Sequence, residues 1–314
     1  MGNVRVGVIG CGGRGKGHVR ILNGFDDVDL VAVCDPVAES REVVCAEFEI
    51  EAQYGTIPAM LDDANLDAVV VAPPAHLNAE LALPCLERGV HTLLEKPPGL
   101  SVAETEGLKA AADRSGAKAM VGWNRRFHPV IVQSRNTVLD YGPVTQLVGE
   151  FHKSITDHDK NEKMADVIMD QLLYETPIHA IDTIRFLADS EVAKVHSVVR
   201  RSMSKFRDVH AALVEFENGV VAQLSHNYTT SARLERYEIH GHEISAYMEG
   251  VSSAQVFAEG EKKEISGNGS GTDEQDQFFI DCVKEDRPIE LPAANLDEAI
   301  KTMRLCEAIM GGTR

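Results

Sequence analysis

Apolar and polar positions follow two rhythms along this chain. Up to about residue 122, short apolar runs at 4–9, 30–34, 68–72, 91–94 and 119–121 are rich in Val and Ala and almost unbroken. Runs of that kind predict parallel strands covered on both faces. Amphipathic stretches around 19–22 and over 39–48, 77–88 and 101–114 predict the helices between them. Ser101 with Glu104 predicts a capped helix start, and Gly89 and Gly116 predict helix ends. Strand–helix alternation of this kind predicts a doubly wound parallel sheet.

After Trp123 the rhythm changes. A helix is predicted over 129–141, a strand over 144–153, then a polar stretch, then a helix over roughly 171–188. From 192 to 259 the pattern is mostly strands. Asn218-Gly219 between apolar runs at 211–216 and 220–224 is a hairpin signal, and further strands fall near 235–240 and 244–248. Helices at 276–284 and 297–309 close the chain. The expectation is α/β throughout: a Rossmann-type domain over 1–122, then an α+β domain over 123–314 with a mostly antiparallel, open sheet. The closing helix, 296–309, is placed to pack back on the first domain. Only Ser266–Gly271 (SGNGSG) has low complexity, and it reads as a loop.

Charge narrows the function classes. The 314 residues carry 31 Lys+Arg against 49 Asp+Glu, a formal −18. Residues 1–122 hold 10 basic and 18 acidic side chains and the rest hold 21 and 31, so the acidity is spread along the chain. That balance argues against nucleic acid and against an anionic membrane as partner. No run reaches the ~18–20 apolar residues of a membrane-spanning helix. Six scattered cysteines without a C-x-x-C pair read as reduced thiols, which points to the cytoplasm.

Three motifs carry candidate chemistry. Gly10-Cys11-Gly12-Gly13-Arg14-Gly15 fits G-x-G-x-x-G directly between a strand and a helix. Its glycines permit a tight turn and a close backbone approach to a pyrophosphate at the helix N-terminus. Asp35, at the end of the second strand, is placed to bond a ribose 2′-hydroxyl and to repel a 2′-phosphate. NAD is therefore favoured, while Arg14 and Arg41 keep NADP open. Glu95-Lys96-Pro97 closes the fifth strand, at the sheet edge where doubly wound folds bind ligands. A Lys there can donate to a hydroxyl or carbonyl oxygen. Glu175 and His179, four apart on a predicted helix, share a face, and Asp182 is spaced to orient the imidazole.

Together with Trp123-Asn124-Arg125-Arg126-Phe127, these motifs resemble the Gfo/Idh/MocA oxidoreductases over nearly the whole chain. That family includes glucose–fructose oxidoreductase, inositol dehydrogenases and many sugar dehydrogenases. The resemblance implies hydride transfer between a nicotinamide cofactor and a secondary alcohol carbon of a sugar, sugar derivative or cyclitol. Lys96 would hydrogen-bond the reacting oxygen, and His179 would take the hydroxyl proton. Glu175 would assist, and Arg126 and Lys153 would line the substrate site. Pro73, His76, Glu95 and Lys96 would join the Gly turn at the cofactor. The second-domain sheet would carry homo-dimers or homo-tetramers.

There are departures. The family usually has Asp where Glu175 stands, commonly Gly where Pro177 stands, and often His where Asn78 lies; His76 sits two residues earlier. Two other outcomes are known in the family: glycosidases that use bound NAD transiently, and cofactor-sensing regulators without turnover.

Three further features have weaker functional readings. His240 and His242 look metal-like on one strand face, but no metal is expected. The segment Asp157-His158-Asp159-Lys160 reads equally as a solvated loop or as a lid. Arg233 and Arg236 read as surface arginines that could meet an anionic group.

Overall fold

The computed structural model describes residues 2–155 and 165–312, so Asp157–Lys160 lies outside the described residues. The chain divides into two compact units: Met1–Trp123 with Thr272–Ile300, and Asn124–Gly271 with Lys301–Arg314. A single boundary at 122 is thus corrected. The chain returns to the first unit at Thr272, well before the closing helix, and the division falls inside that helix after Ile300.

The first unit is built on strands β1 (Val4–Ile9), β2 (Val28–Cys34), β3 (Ala52–Tyr54), β4 (Ala68–Val71), β5 (His91–Glu95), β6 (Ala119–Gly122) and a later β15 (Ala294–Asn295). Their order is β15-β6-β5-β4-β1-β2-β3. All pairs are parallel except β15 on β6. Helices α1 (Gly13–Leu22), α2 (Ala38–Phe48), α3 (Ile57–Asp63), α4 (Asn78–Glu87) and α5 (Val102–Ser115) connect the parallel strands. Val6, Val8, Val69, Val70 and Leu94 are wholly buried, as strands covered on both faces require. Ser101 accepts from the Glu104 amide at 3.2 Å, and Gly116 ends α5 at φ 77°. The order reverses between β1 and β4, the crevice where such sheets bind ligands.

The second unit opens with α6 (Pro129–Tyr141) and β7 (Val144–Ser154), followed by α7 (Ile178–Ala188). Then come β8 (Val192–Arg200), β9 (Val209–Phe216), β10 (Val221–Asn227), β11 (Thr229–Gly241), β12 (Ile244–Glu249), β13 (Ser253–Ala258) and β14 (Glu261–Ser266). The strand order is β14-β13-β12-β11-β7-β10-β9-β8, antiparallel except for β7 with β10. Gly219 at φ 88° makes the hairpin between β9 and β10. Helix α7 is buried along its whole length and packs on β7. The approach is close because Gly149 has no side chain: a Cβ there would stand 2.9 Å from Ile184 Cγ1. The chain ends with α8 (Thr272–Lys284), β15 and α9 (Leu296–Met310).

One predicted element is broken. The helix over 171–188 is a short turn, Leu172–Glu175, and then α7, with Pro177 as N-cap. Proline has no amide hydrogen to continue the ladder, and its ring disfavours helix before it. Glu175 therefore ends one helical segment and His179 lies in the first turn of the next.

His210 on β9 and His226 on β10 are cross-strand partners, each 1% exposed. Among the described residues their ring nitrogens have no hydrogen-bond partner. Burial, then Arg207, lowers the His210 pKa to about 4, and burial with His210 and His152 holds His226 well below its ordinary value. Both rings are neutral in the fold but charge in the unfolded chain below about 6.5. Their contribution is complete above that pH and is lost as pH falls toward 4. Urea unfolding measured between these limits should show stability falling with acid. His210→Leu should flatten that slope by roughly 1.4 kcal/mol per pH unit. An unchanged slope would contradict the neutral-ring assignment.

Candidate active site

The Gly-rich turn leaves β1 at Gly10, with φ 96°. A Cβ on Gly10 would stand 2.6 Å from the Ala72 carbonyl oxygen, and one on Gly15 would stand 1.7 Å from the Gly10 oxygen. These two glycines are required by the turn itself. Gly12 and Gly13 differ: a Cβ on either meets nothing within 4 Å. Gly12 is the N-cap of α1 and carries no side-chain cap. The helix start thus has uncapped amides facing open space, which suits a pyrophosphate.

Asp35 is tied to this turn. One carboxylate oxygen accepts the Cys11 amide at 2.8 Å and the other accepts the Val37 amide at 2.9 Å. Arg41 donates to the Asp35 carbonyl, so it is engaged with the backbone. Pro73 and His76 follow β4 and are half-buried. Asn78 is wholly buried and donates to the carbonyls of Glu95 at 2.9 Å and Pro97 at 2.7 Å. Where the family often has His, this chain has an amide that fixes the turn carrying Lys96.

Glu95 was expected at the cofactor, but its carboxylate is engaged inside the unit. One oxygen takes Arg14 Nε at 3.0 Å and lies 3.2 Å from His18 Nε2. The other accepts the Lys96 amide at 3.1 Å. Burial opposes the Glu95 charge, yet His18, Arg14 and Lys96 outweigh it and its pKa falls to about 2. Arg14 is likewise engaged, though its side chain is half exposed.

In the second unit, Lys153 from β7 brings Nζ to 3.5 Å from Glu175 Oε2. The Tyr228 hydroxyl donates to that oxygen at 2.8 Å, and the Thr176 hydroxyl donates to it as well. Burial, then Glu175, keeps the Tyr228 pKa far above its ordinary value, so the phenol remains a donor. Lys153 and Glu175 are thus brought together. His179 stands buried in the first turn of α7.

Two expectations for this unit are corrected. Arg126 is fully buried and cannot line a substrate site. Its Nε and Nη2 reach the two oxygens of Asp182, each at 2.8 Å. Thr302 donates to Asp182 as well, at 3.0 Å. Asp182 therefore serves Arg126 rather than the His179 ring. The physical reason is that a guanidinium taken out of water needs a forked carboxylate partner.

The weaker candidates are also placed. Arg233 pairs with Glu235 at 3.0 Å, and Arg236 pairs with Glu238. His240 bonds Ser245 and Glu238, while His242 lies beyond the end of β11. Among the described residues no group of three or more His, Cys, Asp or Glu is arranged to hold a metal.

Sequence reading missed His18, Asp276 and Tyr228. His18 and Asp276 are charged residues within the buried stripes of α1 and α8, next to Val19 and Leu22, and to Phe279 and Ile280. That signal was available. Tyr228 meets Glu175 across 53 residues, and no local pattern announces it.

Comparison with known proteins bears on these motifs. Residues 4–123 match the GFO_IDH_MocA description, oxidoreductase family with NAD-binding Rossmann fold, and residues 140–247 match the GFO/IDH/MocA C-terminal domain. The chain belongs to the Gfo/Idh/MocA oxidoreductase family. It is 26% identical to scyllo-inositol 2-dehydrogenase (NAD(+)) of Bacillus subtilis, over 80% of this chain and 72% of that protein. It is 30% identical to inositol 2-dehydrogenase 2 of Saccharopolyspora erythraea, over 70% of this chain and 66% of that protein. The chain spans about two thirds of the length of the curated relatives it matches. A crystal structure of a dehydrogenase from Chromobacterium violaceum has the same fold, with TM-score 0.88 and 22% identity over 99% of this chain and 95% of that one.

In this family member the two kinds of glycine should separate by experiment. Gly10→Ala should cost about 2 kcal/mol or more in denaturant unfolding, because of its φ and the Ala72 contact. Gly12→Val should leave stability near wild type and weaken NADH binding about tenfold or more in a fluorescence titration. Equal effects of both variants on both measurements would contradict the division.

Proposed function

We propose that this protein is an NAD-dependent dehydrogenase acting on a secondary alcohol of a sugar, sugar derivative or cyclitol. The observation that carries the reading is the first unit's strand-end edge. It has an uncapped, open helix start at Gly12 and Gly13, the acid Asp35 tied to the turn, and Lys96 on a fixed strand end. The similarity to inositol dehydrogenases supports a polyol. Bound NAD supplies the hydride acceptor.

The chain's own residues do the rest. Gly12 and Gly13 admit the pyrophosphate, and Asp35 bonds the ribose. Arg14 and Arg41 are already engaged, by Glu95 and by the Asp35 carbonyl, which favours NAD over NADP. Lys96 donates to the reacting oxygen and lowers the energy of its alkoxide character. His179 accepts the hydroxyl proton. Glu175, held by Tyr228 and beside Lys153, binds a neighbouring hydroxyl.

Two wider readings accompany this one. Val198, Leu213, Tyr247 and Phe257 are exposed on strands of the second unit's sheet, which supports a homo-dimer or homo-tetramer formed through that sheet. The six free cysteines, five of them buried, support a cytoplasmic protein. No described helix is long and apolar enough to cross a membrane.

NADH formation on a panel of inositols and hexoses tests the reaction. Lys96→Ala and His179→Ala should each lower kcat/KM on an accepted polyol by about 100-fold or more. Tyr228→Phe should raise KM more than it lowers kcat. Unchanged turnover in the first two variants would overturn the assigned roles. Sugar release from an aryl glycoside without net NADH would favour a glycosidase. Tight NAD binding with no turnover on any panel member would favour a sensing role.

A further inference from the structure

In the second unit, the loop between β8 and β9 folds around one acid. Asp208 is wholly buried, and its carboxylate collects donors from the loop. One oxygen accepts the Ser202 amide at 2.7 Å. The other accepts the amides of Met203 at 2.9 Å and Ser204 at 3.0 Å, and the Ser204 hydroxyl at 3.2 Å. The Asp208 amide donates to the Arg200 carbonyl at 3.0 Å, which closes the loop. Its carbonyl accepts the Tyr228 amide at 2.8 Å.

Tyr228, between β10 and β11, is thus attached to this loop. The Ile155 amide donates to its carbonyl at 2.7 Å, so its backbone is held from both sides. Its hydroxyl reaches the segment that carries Glu175, 2.8 Å from Glu175 Oε2 and 3.2 Å from the Leu172 carbonyl oxygen. Phe206, from the same loop, packs against the cluster of Tyr228, Met169 and Leu172. The loop also grips that segment directly. Arg207 donates from Nη2 to one Asp170 oxygen at 2.9 Å and from Nε to the Asp170 carbonyl at 3.0 Å. Arg201 donates to the other Asp170 oxygen at 3.1 Å. The stretch from Asp170 to Glu175 is therefore held at both ends, by the loop at Asp170 and through Tyr228 at Glu175.

A carboxylate taken out of water needs its acceptor positions filled, and here the loop backbone fills them. The folded loop in turn fixes the Asp208 carbonyl and, through it, the Tyr228 backbone. We propose that Asp208 is a positioning residue for Glu175: by holding the turn over 202–204 it sets Tyr228, whose hydroxyl aims the Glu175 carboxylate at a substrate hydroxyl. This deepens the reading of Glu175 given above and rests on it. A glutamate has three side-chain torsions, and a bond from a fixed phenol removes freedom that binding would otherwise have to remove. Thr176 and Lys153 reach the same Glu175 oxygen, so losing the contribution of Asp208 weakens the site without abolishing it.

The first test needs no turnover. Tyrosines isotope-labelled at Cζ are observed by NMR in the cofactor-free protein. Tyr228 is assigned with Tyr228→Phe, and Glu175→Gln gives its shift when the carboxylate partner is lost. Asp208→Asn sets an amide NH2 against backbone N–H donors and loosens the turn. It should move the Tyr228 resonance toward its position in Glu175→Gln. Ser204→Ala, which removes one donor, serves as a milder variant should Asp208→Asn fail to fold. A Tyr228 resonance that stays in place in every folded variant of the loop would overturn the proposal.

The second test is a double-mutant cycle on an accepted polyol. Asp208→Asn should raise KM for the polyol about tenfold, with kcat and NADH affinity within about twofold of wild type. In a Tyr228→Phe background it should add less than about twofold. The same rise in both backgrounds, or a fall in kcat with KM unchanged, would overturn the proposal. If Glu175→Gln itself leaves KM unchanged, the hydroxyl-binding reading of Glu175 fails, while the Tyr228 resonance still judges the positioning.

Discussion

A carboxylate buried at the end of a strand is the constraint around which the first unit is arranged. Glu95 is almost wholly removed from water, and an uncompensated charge there would cost several kcal/mol. The fold answers from two directions. Helix α1 supplies Arg14 and His18, and the chain returns to this unit at Thr272 with α8, whose Asp276 carboxylate lies 2.6 Å from His18 Nδ1 and, with Glu95, raises the imidazole pKa to about 9 against the opposing effect of burial. The Gly turn, which must lie at the head of α1, is thereby tied to the strand end that carries Lys96. The return of the chain after Thr272 supplies the second acid on His18.

The second unit meets the same requirement by simpler means. Arg125 and Arg126, consecutive in a short turn, each fork onto a buried acid, Glu235 on β11 and Asp182 on α7. These pairs fasten the start of the unit to its sheet and to its long buried helix. They also explain why two residues that look suited to substrate or to a proton relay are absent from the candidate site. What remains for chemistry lies around the interruption at Pro177, where the Glu175 carboxylate is directed by Tyr228, Thr176 and Lys153. Glu175 ends its own short segment, and those side chains hold its carboxylate.

Much of this was legible in the sequence. The parallel strands announced themselves because both faces are buried and the runs are nearly unbroken. The Gly turn, Asp35 and Lys96 stood at strand ends, where chemistry and topology coincide. The three-residue β3, the two-residue β15 and the short α3 are too brief to show a period. The helix break at Pro177 was signalled by the proline itself but overridden by the apolar stripe around it. The roles of Arg126 and Asp182 were misread because sequence gives the spacing of charges, not which are buried together. His18 and Asp276 could have been found by asking why charged residues occupy apolar stripes. Tyr228 could not, since its partner is remote in the chain.

The claim on which the account rests is that hydride leaves a carbinol carbon of a polyol for NAD in a reaction that needs Lys96. The most direct measurement uses a polyol deuterated at that carbon, with the resulting NADH examined by mass spectrometry for wild type and Lys96→Ala. The account predicts NADH one mass unit heavier, carrying one deuterium, from wild type and almost none from the variant. Unlabelled NADH, or equal labelled product from both proteins, would contradict it.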